Sequence, residues 1–254
     1  MLKSYFFVLI FFSLSLFYSN STDAQSVFTK VDPSAELLAE SKTYLTKVDY
    51  LSFEFTLLQE KLTTSEDVEM ILPIGENPKK ITLSKVNILT PDYQLHTSSG
   101  KSYNTARDYA FYLGTVSGQS DSKVTLTLYK EEIQISIFDR DGNYEINKVD
   151  DLYAGYYNSD LKEEIDRSWD CHVIDDQRSK SEMDTNNRSD TGPDCVTVFL
   201  EIDFKMYQKK GSNVANTEAW AINLFSQVAI LYMEHDVPLN ISGIQVWDSS
   251  DPYT

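Results

Sequence analysis

Val124-Thr125-Leu126-Thr127-Leu128 is followed by Lys130-Glu131-Glu132, then Ile133-Gln134-Ile135-Ser136-Ile137, Asp139-Arg140-Asp141-Gly142 and Tyr144-Glu145-Ile146. Successive strand side chains point to opposite faces, so each apolar/polar alternation describes a strand with one face buried. Charged residues separate the first two runs, and Asp-Gly, a turn signal, leads into the third. The three runs together predict an antiparallel meander.

Working outward, Val68 to Leu72, Ile81 to Leu89 and Tyr109 to Thr115 have the same strand character. Leu51, Phe53, Phe55 and Leu57 alternate with polar residues and predict a further half-buried strand. A short amphipathic helix fits Asp32 to Tyr44. The Asp139-Arg140-Asp141-Gly142-Asn143 segment superficially suggests a calcium loop. Its glycine stands fourth rather than sixth, and strands flank it, so it reads as a hairpin turn.

At the N-terminus, Lys3 precedes an apolar run from Tyr5 through Phe17, which relaxes into Ser19-Asn20-Ser21-Thr22-Asp23-Ala24. That order is a secretory signal with cleavage expected after Ala24, and the apolar run is short for a bilayer span. The mature chain is expected to be secreted, extracellular or periplasmic, with no membrane partner once the signal is removed. With 22 Lys+Arg against 39 Asp+Glu in 254 residues, the net charge of −17 disfavours nucleic acid as a partner. A hydrophobic content of 41% is too high for a disordered chain.

Thirteen acidic residues fall between Asp150 and Asp194, and the stretch from Asp176 to Pro193 has one large apolar residue, Met183. Residues 171–194 are read as an exposed acidic linker in which Arg178, Lys180 and Arg188 are candidate cleavage points. Beyond it, Val196 to Asp203 suits a strand. A helix capped by Asn216 follows, with Glu218 in its first turn complementing the helix dipole. Its apolar positions Ala221, Leu224, Phe225, Val228, Leu231 and Tyr232 predict the buried face, with Asn223, Ser226, Gln227 and Glu234 outward. Ile241 to Trp247 is a second strand, and strand, helix, strand in this span predicts a parallel crossover. Trp220 and Trp247 read as packing residues.

The run from Cys195 to Asp203, with Tyr207-Gln208, Gly211-Ser212-Asn213-Val214, Leu224 to Tyr232, Ile241 to Trp247 and Asp251-Pro252-Tyr253, resembles the start of secreted reprolysin-like (adamalysin-type) zinc metallopeptidase domains. Tyr112-Leu113-Gly114 to Leu126 and the meander to Tyr144 resemble the propeptide of the same family. The resemblance implies an α+β chain: a signal peptide (1–24), a β-rich antiparallel propeptide domain (25–170), the linker (171–194) and an incomplete α/β strand-helix-strand opening of a metzincin-type catalytic domain (195–254). It also implies a parent enzyme that hydrolyses peptide bonds in protein or peptide substrates with zinc, and a propeptide that inhibits it and assists its folding.

The sequence departs from that family where the chemistry lies. The family binds zinc through His-Glu-x-x-His-x-x-Gly-x-x-His, with the glutamate acting as base toward a zinc-bound water. Only His96, His172 and His235 are present, none four residues from another. The chain is therefore expected to bind no zinc and to hydrolyse nothing by itself, and to be the N-terminal portion of a precursor completed by the rest of the catalytic domain. Cys171 has two open readings. The resemblance makes it a propeptide thiolate occupying the fourth position on the parent's zinc, whereas an oxidising compartment favours a disulfide between Cys171 and Cys195. A rival from another class is a secreted, non-enzymatic β-rich binding protein.

Overall fold

The computed structural model describes residues 26–64, 67–162, 196–233, 235 and 237–252. In chain order the strands of the first part are β1 (Phe28–Lys30), β2 (Asp49–Phe53), β3 (Asp67–Leu72), β4 (Lys79–Val86), β5 (Leu89–Thr97), β6 (Ser102–Tyr103), β7 (Tyr109–Val116), β8 (Gln119–Tyr129), β9 (Glu132–Asp139), β10 (Gly142–Val149) and β11 (Leu152–Tyr157). Helices α1 (Ala35–Tyr44) and α2 (Phe55–Thr64) lie among them. The later part contains β12 (Val196–Ile202), α3 (Phe204–Lys209), α4 (Val214–Met233) and β13 (Leu239–Val246).

Nine strands form one antiparallel sheet in the order β1-β2-β11-β10-β9-β8-β7-β4-β3. The meander is there as read, with Val124 opposite Ile137 and Tyr144 opposite Ile137 on the other side. The sheet curls until its two ends meet: Ser26 Oγ, beside β1, donates to the carbonyl of Ile71 on β3 at 3.0 Å. Leu51, Leu58, Leu72, Ile81, Leu83, Val124, Ile135 and Ile146 fill the concave side, each at most 1% exposed.

Helix α1 starts where Ser34 accepts a hydrogen bond from Leu37 N–H at 3.1 Å, the ordinary serine cap. The strand expected to continue through Leu57 stops at Phe53 instead. The Leu58 amide bonds to the Glu54 carbonyl, and α2 begins. Leu58 and Leu62, one helical turn apart, then reach the first core, and this burial outweighs the short period-two pattern.

A second sheet has the order β12-β13-β5-β6. β12 and β13 are parallel, as the strand-helix-strand pattern predicts. β13 is also parallel to β5, a strand from the first part of the chain, with Leu95 opposite Ile244 and Thr97 opposite Val246. The ladder is interrupted between Leu89 and Gln94, where Pro91 has no N–H to offer. The run read as one strand from Ile81 to Leu89 is thus split: Lys79–Val86 serves the large sheet, and the chain crosses at Asn87 and Ile88 to the small one.

α4 begins at Val214. Asn213, not Asn216, is its cap, accepting from Asn216 N–H at 3.1 Å, and Glu218 lies beyond the first turn and is fully buried. The expected buried face is also rotated. Ala221, Ile222, Phe225, Ala229 and Ile230 are buried together with Asn223 and Ser226, whereas Leu224, Val228, Leu231 and Tyr232 are exposed. The cause is a helix lodged between two sheets, with its apolar residues against β13 and β5. Its polar residues meet the hydroxyl-bearing back of the meander, where Ser226 faces Thr127 at 3.4 Å.

Candidate functional site at the seam between the two sheets

The second core is built jointly by the two parts of the chain. Ile88, Leu89, Tyr93, Leu95, Tyr109 and Phe111 come from the first, and Ala221, Ile222, Phe225, Ala229, Leu239, Ile241, Ile244 and Val246 from the second. Inside this apolar seam lies the Glu218 carboxyl. Tyr93 on β5 donates to its Oε1 at 2.7 Å, Thr105 donates to the same oxygen, and Tyr109 on β7 donates to Oε2 at 3.1 Å. All three donors belong to the first part. Burial pushes the Glu218 carboxyl up, and the three hydroxyls only partly oppose that shift. Burial and the adjoining Glu218 push the phenols of Tyr93 and Tyr109 well above their ordinary range, so both remain hydroxyl donors. Among the described residues no cationic side chain bonds to Glu218.

Two polar contact sets flank this hub. At the end of β5, Ser98 Oγ and Ser99 Oγ donate to Asp248, beyond β13, at 2.7 and 2.6 Å, and Ser99 N–H adds a third bond at 2.8 Å. On the other side, Gln227 Nε2 on α4 donates to Ser136 Oγ on β9 at 2.9 Å, and Ser136 Oγ donates to Glu145 on β10 at 2.7 Å. Burial raises the Glu145 carboxyl from 4.5 to about 7. Glu145, Gln227, Asn223 and Tyr156 line a cleft of about 520 Å³ between the large sheet and α4. Trp220 also lines it while packing against the second core, so it both packs and faces a cleft. Lys210 stacks over the Trp220 ring at 4.9 Å. Among protein groups, the side-chain oxygens of Thr125 and Asn223 in this layer have no hydrogen-bond partner.

Comparison with known proteins adds little to this geometry. No family model and no curated protein matches the chain. A solved structure described as "Structure of a chaperone-substrate complex" aligns with a TM-score of 0.30 and 13% sequence identity, over 45% of this chain and 80% of that one. At that TM-score the likeness carries no argument about fold or function.

Cys171, Cys195, His172, Arg178, Lys180 and Arg188 lie outside the described residues. His96 bonds through Nδ1 to Ser102 Oγ at 2.9 Å and stacks on Phe199, and His235 is exposed. Among the described residues no group of three or more His, Cys, Asp or Glu side chains is placed to hold a metal ion. The zinc implied by the resemblance therefore has no fitting donor set there. At the Asp139 to Asn143 turn, Lys79 Nζ donates to Asp139 and, at 2.7 Å, to Asp141, so an ion pair closes the hairpin. Among the described residues no helix is long and apolar enough to cross a membrane.

Sequence reasoning missed the hub. One signal was legible: Glu218 is a lone acid followed directly by Ala219, Trp220, Ala221 and Ile222 on a helix. Its partners Tyr93, Thr105 and Tyr109 could not be paired with it without the fold.

Proposed function

We propose that this chain is the N-terminal part of a secreted zinc metallopeptidase precursor, in which residues 26–162 act as a folding template and inhibitory prodomain for the unit that begins at Val196. The joint second core supports this reading. Among the described residues, the strand-helix-strand unit pairs β13 with its own β12 on one side only, and takes the neighbour on β13's other edge, a cover for α4 and three donors for Glu218 from the first part. A lone crossover leaves strand edges and an apolar helix face uncovered, so the later part depends on the earlier one for a core. The polar layer between α4 and the meander suits a boundary that must later open, since separable interfaces are more polar than permanent ones. Cleavage in 171–194, at Arg178, Lys180 or Arg188, would free the prodomain covalently. Hydrolytic chemistry is assigned to parent residues beyond Thr254, and no step of it to the described residues.

The test uses the mature chain with a specific protease site placed in 171–194. After cleavage the two pieces should co-elute on size exclusion and retain one cooperative unfolding transition. Immediate separation, with the first piece still folded, would overturn the template reading. The enzymatic part is tested by the transcript beyond Thr254: a His-Glu-x-x-His run supports it. A stop codon there favours a secreted binding protein instead, a reading to which the exposed stripe of Leu224, Val228, Leu231 and Tyr232 lends support.

A further inference from the structure

We infer that the seam is a proton-gated latch: Glu218 and Glu145, facing each other's units across it, hold the two parts together when protonated and loosen them when ionised. The inference rests on the prodomain reading and concerns how that boundary opens.

The geometry makes each carboxyl a link between the units. Glu218 belongs to the later part, and among the described residues its carboxyl is bonded by hydroxyls of the earlier one. Glu145 belongs to the earlier part and is tied through Ser136 to Gln227 of α4. Separation would return both to water, which favours the charged form. In the docked state a neutral Glu218 can donate its own proton to a neighbouring hydroxyl. An ionised one keeps three neutral donors and no cation, which replaces only part of its lost hydration.

The surrounding charges leave this bias in place. Facing Glu218 are Thr105, Tyr93 from β5, Tyr109 from β7, on whose ring Tyr129 stacks at 4.7 Å, and Asp108, whose negative charge opposes ionisation further. Around Glu145 are Tyr156 from β11, the amides of Gln134 and Asn147, and Lys210, whose ammonium stacks on Trp220 rather than bonding to the carboxyl. Both carboxyls stand above the ordinary glutamate value in the docked chain; if separation returns them toward that value, as the latch requires, the docked state binds more protons than the separated one. Its advantage is complete below the ordinary glutamate range and is lost as the pH rises through the docked values, with the midpoint for Glu145 near 7. Asp248 sets the opposite limit. Burial alone would push its carboxyl up, but the hydroxyls of Ser99 and Ser98 hold it below its usual range, so strong acid removes that contact.

The linker-cut chain tests the latch. The dissociation constant of its two pieces, measured by fluorescence from about pH 5 to about pH 8, should rise about tenfold for each pKa unit by which docking raises a carboxyl. Glu218→Gln and Glu145→Gln should each flatten part of that slope, and the double variant should remove it. A wild-type slope of zero, or Gln variants that keep the wild-type slope, overturns the latch while leaving the template reading intact. Should Glu218→Gln fail to fold, Glu145→Gln alone decides by the same criterion. Pieces that separate at every pH would instead defeat the template reading itself.

Discussion

Tyr144 on β10 donates its phenolic hydrogen to Asp49 on β2 at 3.2 Å, reaching across the intervening strand β11. The reach is possible because the residue of β11 paired with Asp49 is Gly155, and the Tyr144 ring lies over it. A Cβ there would sit 2.9 Å from Tyr144 Cζ, closer than real side chains approach. Asp49 also accepts from Lys30 Nζ at 2.8 Å and from Gly75 N–H at 2.9 Å, so one carboxylate ties β1, β2, β10 and the β3–β4 turn together.

Gly155→Ala should therefore destabilise the large sheet by about 1–3 kcal/mol, the usual range for forcing extra volume into a packed site. Urea unfolding followed by far-ultraviolet dichroism measures it. Tyr144→Phe with Gly155→Ala should recover part of the loss, because the hydroxyl is the atom the new Cβ would meet first, whereas the ring carbon at 2.9 Å stays in its way.

Asp49 gives a pH prediction of opposite sign to the seam. Burial alone would raise its carboxyl, but the hydrogen bonds from Lys30, Gly75 and Tyr144 hold it below the usual range. A folded value below the unfolded one contributes stability that is complete above the ordinary aspartate range near 4 and is lost as the pH falls below that range through the lowered folded value. Asp49→Asn should cost about 1 kcal/mol at neutral pH, since Lys30 is substantially exposed, and should lose part of the acid slope of the melting temperature.

At the seam, Gly243→Ala should weaken the β5–β13 pairing selectively. Its Cβ would come 2.9 Å from the Gln94 carbonyl oxygen on β5 and 2.9 Å from the Phe199 ring. Hydrogen exchange should rise at β5 and β13 amides while β8, β9 and β10 stay protected. A uniform loss of protection would show instead that the two sheets unfold as one unit.

These residues also show how far the sequence could be read. The meander was legible because Val124, Leu126, Ile133, Ile135 and Ile137 alternate without exception and their burial agrees. β11 was not, because Leu152-Tyr153-Ala154-Gly155-Tyr156-Tyr157 follows Asp150 and Asp151 at the start of an acid-rich stretch and has no polar/apolar alternation to mark it as a strand. β5 was hidden by Pro91 and Asp92, and its partner lies across the linker, a pairing that no local period records. α4 was legible as a helix, but its orientation depends on a second sheet that periodicity alone does not supply.

That orientation makes the sharpest mutational contrast. Phe225 and Leu231 are both large apolar residues on the face the sequence nominates, yet Phe225 is 6% exposed and Leu231 is 47% exposed. If α4 is lodged between the sheets as described, Phe225→Ala empties part of the joint core and should cost about 3–5 kcal/mol. Leu231→Gln touches a solvent-facing position and should change stability by no more than about 0.5 kcal/mol. Ser226→Leu, which raises hydropathy on the helix, should nonetheless destabilise it, because its hydroxyl bonds to the Asn223 carbonyl at 2.7 Å and its position faces Thr127 without room for a larger side chain. Were the helix rotated to bury Leu224, Val228 and Leu231 instead, the order of these three effects in a denaturant series would reverse.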